Sequence, residues 1–135
     1  MRGGGLGFTL TMPTIREVMS TELVSVARSA TVAEAATVMG ARHVGAALVV
    51  EGETLIGIFT ERDILRALAS DFDAAHHHVG DWMTKEPMTV TPDEGAAEAL
   101  DLMLEEGFRH LPVTENGSLI GVVSLRDLSR AAGKD

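Results

Sequence analysis

The strongest constraint in this sequence is an internal duplication at an offset of 64 residues. Under this shift Met19 aligns with Met83, and Leu-Ile-Gly at 55–57 aligns with Leu-Ile-Gly at 119–121. The register holds without a gap from about Ile15 to Ala67. Units of this length bury their apolar faces by stacking on a neighbour. The sequence therefore predicts two tandem copies that pack against each other.

Each copy has the pattern of a strand, a helix, two strands joined by a tight turn, and a closing helix. Thr31 and Glu34 have the spacing of a helix capping box, and Asn116-Gly117 is a strong hairpin signal. Gly95 stands at the equivalent cap position of the second copy. The predicted strands cover 23–26, 46–50 and 55–60, then 88–90, 111–114 and 119–124, and the closing helices begin near Glu61 and Leu125.

This pattern predicts an α+β fold in which two βαββα-like repeats are related by a pseudo-twofold axis. The sheets are expected to pack face to face with the helices outside. The predicted organisation is a flexible N-terminal segment at 1–13, a first repeat at 14–69, a connector at 70–78 and a second repeat at 79–132.

Charge and composition disfavour several classes of partner. The formal net charge is −9 and there is no run of Lys and Arg, which argues against nucleic acid and anionic lipid as partners. There are no cysteines, so disulfides and thiolate chemistry are excluded. The apolar runs are shorter than the ~18–20 residues of a membrane span, and we expect a cytoplasmic protein that does not enter a membrane.

One polar motif recurs where each third strand meets its closing helix. It pairs Thr60 with Asp63 in the first copy and Ser124 with Asp127 in the second. The hydroxyl and free helix N–H groups can hold a phosphate, and a carboxylate can accept two hydrogen bonds from a ribose diol. A capping box explains the same spacing without a ligand. A ligand is favoured by the recurrence and by the glycine three residues before each hydroxyl, which would let a ligand approach the backbone.

These features together resemble the CBS-domain family. The resemblance rests on Val18-Met19-Ser20 and Trp82-Met83-Thr84, on Arg109-His110-Leu111-Pro112-Val113, and on the two Gly-x-x-[Ser/Thr]-x-x-Asp segments, and it covers about Thr14 to Ala132. Paired repeats of this family form a Bateman module. Family members commonly bind AMP, ADP, ATP or S-adenosylmethionine between the repeats, and many form disc-shaped dimers.

The resemblance implies a role for each matching residue. Asp63 and Asp127 would hold ribose hydroxyls, and Thr60 and Ser124 would face phosphates. The remaining implied residues are Pro87 and Met88 against adenine in the Asp63 site, Leu23 and Val24 against adenine in the Asp127 site, and Arg109 toward phosphate. Apart from the resemblance, the i, i+4 spacing of Arg126 and Arg130 favours a solvated or interhelical salt-bridge face, and a phosphate or dimer contact of Arg126 is the functional alternative. Gly45 occupies the position equivalent to Arg109, so the two sites are expected to be unequal.

The expected function is a non-catalytic regulatory sensor of an adenine nucleotide or S-adenosylmethionine, in the manner of an energy sensor. It would require no cofactor, with Mg²⁺ an accompanying ion if ATP binds, and would act as a homodimer on an unidentified protein. The alternative is an assembly module without a ligand. A metal site at His76-His77-His78 and a catalytic triad of Ser124, Asp127 and His110 are weaker hypotheses.

Overall fold

The computed structural model describes residues 13–131, so the segment expected to be flexible lies outside the described residues except for Pro13. The helices are α1 (Ile15–Val18), α2 (Val32–Arg42), α3 (Glu61–Ser70), α4 (Ala96–Glu106) and α5 (Leu125–Ala131). The strands are β1 (Ser25–Val26), β2 (Ala46–Glu51), β3 (Thr54–Thr60), β4 (Thr84–Lys85), β5 (His110–Glu115) and β6 (Ser118–Ser124). Two short 3₁₀ turns, Phe72–His76 and Val79–Asp81, form the connection between α3 and β4. The mixed architecture confirms the predicted fold class.

The predicted helix and hairpin signals form as the sequence indicates. Thr31 and Glu34 make both hydrogen bonds of a capping box at the start of α2. Asn116 and Gly117 both have positive φ angles, 53° and 83°, as the tight turn between β5 and β6 requires. The helices α2 and α4 end at equivalent left-handed residues, His43 and Gly107.

The first strand of each copy is shorter than predicted. In the first copy it contains only Ser25–Val26, and in the second it is reduced to a bridge between Val90 and Val113. A proline explains the difference between copies. Leu48 donates its N–H to the Val24 carbonyl at 2.8 Å. The residue equivalent to Leu48 is Pro112, which has no N–H to donate.

Each sheet is completed by a segment from the other repeat, which the sequence reasoning missed. β1, β2, β3 and β4 form one sheet, and β4 belongs to the second repeat. Reciprocally, Ser20 of the first repeat pairs with Val122 of β6, with main-chain hydrogen bonds of 2.8 and 3.0 Å. The two repeats are therefore bound by main-chain pairing as well as by side-chain packing.

Each of the two hydrophobic cores also contains residues from the other repeat. Ile15 of the first repeat is fully buried among second-repeat residues that include Met103 and Leu128. Val79 and Met83 of the second repeat lie in the first-repeat core with Phe59. A third cluster joins the sheets across the seam between repeats and is formed by Leu23, Ala46, Leu48, Leu55, Ile58, Leu119 and Val122. Within residues 13–131, no helix combines the length and the apolar character needed to span a bilayer.

Gly57 and Gly121, which precede the polar motif, leave space for the segment that each sheet receives from the other repeat. This corrects the sequence interpretation, which assigned that space to a ligand. A Cβ atom on Gly57 would lie 2.5 Å from Met83 Sδ and 2.9 Å from the Thr84 carbonyl oxygen. A Cβ atom on Gly121 would lie 2.7 Å from Met19 Sδ and 2.9 Å from the Ser20 carbonyl oxygen. The methionine can move, but the carbonyl is held by strand pairing.

We therefore predict that Gly57→Ala and Gly121→Ala each lower the free energy of unfolding by about 1–3 kcal/mol, because the added methyl group overpacks the exchanged segment. Urea unfolding measures the effect. Gly40→Ala in α2 is the matched control, since its Cβ meets nothing within 4 Å, and it should be neutral or stabilise the helix by about 0.5–1 kcal/mol. Equal stabilities for all three variants would contradict this account.

Candidate functional site

Two clefts open at the seam, and both repeats contribute walls to each. The cleft that contains Asp63 encloses about 350 Å³, and the cleft that contains Asp127 encloses about 790 Å³. We call them the Asp63 cleft and the Asp127 cleft. Both volumes lie within the range of roughly 300–1,000 Å³ that small-molecule sites occupy. The structure therefore provides two candidate sites, as the duplication predicts.

The Asp63 cleft brings together the residues predicted for it. Thr60 and Asp63 lie at the start of α3, while Pro87, Met88 and Arg109 approach from the second repeat. Met88 is 41% exposed and lines the cleft. The predicted residues of this site thus line one cavity, and their roles toward a ligand remain predictions.

The Asp63 carboxylate is already hydrogen-bonded. Its Oδ2 atom accepts from the Thr60 main-chain N–H at 3.0 Å and from the Thr60 hydroxyl at 3.2 Å. Its Oδ1 atom accepts from Arg66 at 2.7 Å. The Thr60 hydroxyl in turn accepts from the Asp63 main-chain N–H at 3.3 Å. The capping interpretation of this motif is therefore correct in the first repeat, and Asp63 is buried at 5% exposure while it also lines the cleft.

The Asp127 cleft also contains most of its predicted residues. Val24, Gly45, Ser124, Arg126 and Asp127 line it. Ser124 accepts a hydrogen bond from the Asp127 main-chain N–H at 3.1 Å. Within residues 13–131 no hydrogen-bond donor reaches the Asp127 carboxylate. Its oxygens are therefore open among these residues, whereas both oxygens of Asp63 are already hydrogen-bonded.

The two positions predicted to face adenine are not equivalent. The Val24 carbonyl is occupied by the N–H of Leu48, whereas the Met88 carbonyl accepts no main-chain hydrogen bond in the described part of the chain. Pro112 causes this difference because it cannot donate. Leu23 does not line the Asp127 cleft, since its side chain packs in the seam cluster.

Three residues form a wall that both clefts share, namely Glu61, Arg109 and His110. A Cβ atom on Gly45 would lie 3.0 Å from Glu61 Oε2 and 3.4 Å from His110 Cε1. A side chain at position 45 would therefore meet these two residues closely. Arg109, the single arginine at this pair of positions, lines both clefts, and the expected inequality of the two sites stays a prediction.

His110 is a buried group in this wall. Its Nδ1 atom is buried and has no hydrogen-bond partner among residues 13–131. Burial lowers the pKa of His110 below its ordinary value of 6.5; Glu61 and Asp127 act to raise it and Arg109 to lower it further. The imidazole between the clefts is therefore held toward its neutral form.

The structure also describes the residues of the two weaker hypotheses, the histidine metal site and the catalytic triad. His77 accepts a hydrogen bond from Trp82 Nε1 at 3.3 Å, and its ring stacks on the indole. No cluster of three or more potential metal ligands occurs in the part of the chain that the structure describes. Ser124, Asp127 and His110 line the same cleft, but His110 Nδ1 forms a hydrogen bond with neither Ser124 nor Asp127.

The sequence reasoning missed Glu61 and His110 as wall residues and Arg66 as the partner of Asp63. Their equivalents at the offset of 64 are Leu125, Ala46 and Arg130. Glu61 and His110 were recognisable in the sequence, because each is a polar residue whose equivalent in the other repeat is apolar. The pairing of Arg66 was not visible, because arginine recurs in both copies.

Comparison with known proteins supports the resemblance. The family described as CBS domain matches residues 15–70 and 79–134. The chain is 41% identical over 120 residues to an uncharacterized 17.7 kDa protein of Acidianus ambivalens, covering 87% of this chain and 71% of that protein. It spans smaller shares of longer relatives, 43% of MJ1225 from Methanocaldococcus jannaschii and 21% of CBSCBSPB2 from Arabidopsis thaliana.

Solved structures agree with this assignment. The CBS-domain protein ATU1752 of Agrobacterium tumefaciens is 29% identical, with a TM-score of 0.84 over 87% of this chain and 98% of that one. CBSX2 of Arabidopsis thaliana in complex with AMP is 29% identical, with a TM-score of 0.77 over 89% and 96% of the two chains. The chain belongs to the CBS-domain family and consists of two tandem CBS repeats.

We predict that His110 makes stability depend on pH. Because its folded-state pKa is lowered, the unfolded chain binds a proton near pH 6.5 that the folded chain takes up only at lower pH. The free energy of unfolding should therefore fall as the pH drops below 6.5, by at most about 1.4 kcal/mol per pH unit from this group.

Urea unfolding at about pH 7.5 and about pH 5.5 tests this window around the ordinary histidine pKa. The His110→Gln variant should lose less stability between the two conditions than the unsubstituted chain. His43→Gln, at the exposed end of α2, is the matched control. Parallel loss in the unsubstituted chain and the His110 variant would show that the imidazole is not held neutral.

Proposed function

We propose that this chain is a regulatory sensor that binds AMP, ADP, ATP or S-adenosylmethionine in the clefts between its CBS repeats. The observation that carries the proposal is the composition of each cleft. A carboxylate and a hydroxyl from the end of one repeat face main-chain segments of the other repeat across a cavity of suitable volume. A nucleoside offers the matching groups, a diol and a flat heterocycle with polar edges.

The ribose is assigned to the carboxylates. An ionised carboxylate is an acceptor with about four lone-pair positions, and a vicinal diol supplies two donors. Asp127 has these positions open within the described residues, and Asp63 has one oxygen held by Arg66 and the other by Thr60. Both clefts therefore have a suitable acceptor, and the Asp63 cleft must rearrange to use it.

The base is assigned to the main chain opposite the carboxylate. In the Asp63 cleft the Met88 carbonyl is a suitable acceptor for an exocyclic amino group such as that of adenine, because Pro112 leaves it without a strand partner. Ile58, Pro87 and Leu111 provide apolar surface in the same cleft for the faces of the ring.

The phosphate groups are assigned to the arginines that line the clefts. Arg62, Arg66 and Arg109 line the Asp63 cleft, and Arg109 with Arg126 lines the Asp127 cleft. Arginine donates bidentate hydrogen bonds that match phosphate oxygens. The carboxylate of Glu61 lies in the same wall and disfavours a densely charged group there, which limits how many phosphates each cleft accepts.

One of two structural relatives solved with adenosine-containing ligands supports the class of ligand. CBSX2 has been solved in complex with AMP, and the CBS pair of MJ0100 in complex with 5′-methylthioadenosine and S-adenosylmethionine. MJ0100 is 24% identical to this chain with a TM-score of 0.80, so it contributes the fold alone. The Arabidopsis complex is the nearer support for a nucleotide.

The sensor would act without catalysis. A ligand that touches both walls of a cleft favours the arrangement of repeats that it fits best, and this differential affinity is the entire source of any signal. Its protein partner would read that arrangement. No cofactor is assigned, and Mg²⁺ would enter only as the companion of ATP.

A homodimer is part of this proposal. Leu65 and Leu68 on α3 are 68% and 50% exposed, and Phe72 just beyond α3 is fully exposed. Contiguous exposed apolar side chains of this size mark protein contact surfaces. An assembly module without a ligand remains the second candidate, favoured by the internal hydrogen bonds that already occupy Asp63.

Calorimetry with AMP, ADP, ATP and S-adenosylmethionine separates the two candidates. We predict binding of at least one ligand, and at least a tenfold loss of affinity, about 1.4 kcal/mol, for Asp63→Ala or Asp127→Ala, because the ribose loses its acceptor. Asp101→Ala, exposed on α4 outside both clefts, is the matched control and should bind normally. Silence from all four ligands would favour the assembly module.

Light scattering over a range of concentrations tests the dimer. The unsubstituted chain should approach twice the mass of the monomer, and Leu65→Asp with Leu68→Asp should shift the equilibrium toward monomer because charge replaces the apolar contact. Ser118→Asp adds one charge at the exposed first residue of β6 and should leave the mass unchanged. A monomer at every concentration would contradict the dimer.

A further inference from the structure

Arg66 occupies the acceptor that a ribose would need in the Asp63 cleft. Its guanidinium donates to Asp63 Oδ1 at 2.7 Å, and its side chain is 55% exposed while the aspartate side chain is 8% exposed. With Thr60 on Oδ2, three donors already reach this carboxylate. A carboxylate has about four lone-pair positions, so a diol that donates two hydrogen bonds must displace at least one of these donors, and Oδ1 is fully open only when Arg66 moves.

Trp82 holds Arg66 in this position. The Arg66 Cζ atom lies 5.4 Å from the centroid of the Trp82 ring, within cation–π range. The indole is itself fixed, since Trp82 Nε1 donates to His77 Nδ1 at 3.3 Å. His77 Nε2 lies 3.4 Å from an Asp71 carboxylate oxygen, which favours the tautomer with its proton on Nε2. Arg66 therefore contacts an indole ring that is held in place by His77 of the connector.

The second repeat does not reproduce this arrangement. The residues equivalent to Arg66 and Trp82 are Arg130 and Val18, so no indole lies beneath the second arginine. Asp127 and Arg130 form no ion pair within residues 13–131, and Arg130 does not line the Asp127 cleft. The arginine contact thus distinguishes the Asp63 cleft from its counterpart.

We propose that Arg66, positioned by Trp82, makes the Asp63 cleft select phosphorylated nucleosides over the corresponding free nucleosides. This inference rests on the proposed function. A ribose must displace a charge-assisted hydrogen bond, which is among the strong ones in proteins. A nucleotide offers the released guanidinium a phosphate within the same cleft, whereas a nucleoside offers it nothing. Removal of Arg66 should therefore help a nucleoside and harm a nucleotide.

Paired titrations with AMP and adenosine test this selection in the Asp127→Ala background, which removes the other carboxylate. Trp82 is the only tryptophan of the chain and contacts Arg66, so its fluorescence reports on movement of this arginine in the background protein. Calorimetry measures the affinities of every variant. Arg66→Gln should tighten adenosine binding and weaken AMP binding, so that the affinity ratio of AMP to adenosine falls at least tenfold. Arg130→Gln is the matched control and should keep the ratio of the background protein.

Trp82→Leu tests the positioning role by calorimetry, because this variant has no indole to observe. The same ratio should fall in the same direction, by less than with Arg66→Gln. A purely structural role for Trp82 would weaken both ligands alike and leave the ratio unchanged. Melting temperatures verify that each variant is folded.

The outcomes separate the two levels of the proposal. If AMP binds to the background protein but Arg66→Gln leaves the ratio unchanged, or weakens adenosine as well, the selection mechanism is overturned while the nucleotide site stands. If neither AMP nor adenosine binds to the unsubstituted chain, to the Asp127→Ala background or to Arg66→Gln, the proposed function fails and the selection fails with it.

Discussion

The exchange of edge segments between the two repeats is the interaction on which the rest of the structure depends. Residues 84–85 complete the sheet of the first repeat, and Ser20 pairs with β6 of the second. Main-chain hydrogen bonds fix these segments, and Gly57 and Gly121 leave the space that they need. Because each segment leads directly into a wall of a cleft, the same bonds that join the repeats also set the distance across the clefts.

Departures from the duplication give the two clefts different chemistry. Arg109 is equivalent to Gly45 in the repeat, and a Cβ atom on Gly45 would lie close to Glu61 and His110. Both clefts share Arg109 and the imidazole of His110. Pro112 is equivalent to Leu48 in the repeat. Because proline has no N–H to donate, the Met88 carbonyl has no strand partner. The duplicated fold in this way provides two clefts at equivalent places, and a few substitutions at the seam give them different lining residues.

The sequence predicted what depends on local rules and on the repeat itself. The capping box at Thr31 and the turn at Asn116-Gly117 were accessible because local spacing determines them. The meeting of Thr60 with Met88 at one cleft was accessible only through the resemblance to the CBS-domain family. The exchange of edge segments was not accessible, since a two-residue strand carries too weak a pattern to name its partner. The two glycines were noticed but assigned to a ligand, because a glycine signals close approach without saying what approaches.

Side-chain pairing at the site was likewise beyond the sequence. Arg66 could face solvent or reach Asp63, and only the position of Trp82 decides between them. Leu23 and Val24 are neighbours with equivalent predicted roles, yet Leu23 packs in the seam cluster, whereas Val24 packs in the core of the first repeat and also lines the Asp127 cleft. Such choices depend on tertiary contacts that no local pattern encodes.

The most direct test of the account is a crystal structure of the full chain grown with AMP. The account predicts electron density for the nucleotide at the seam, with its ribose hydroxyls on the carboxylate of Asp63 or Asp127 and its base against the main chain of the opposite repeat. A nucleotide bound elsewhere on the surface, or seam clefts without ligand density at a concentration that saturates the protein in solution, would contradict it.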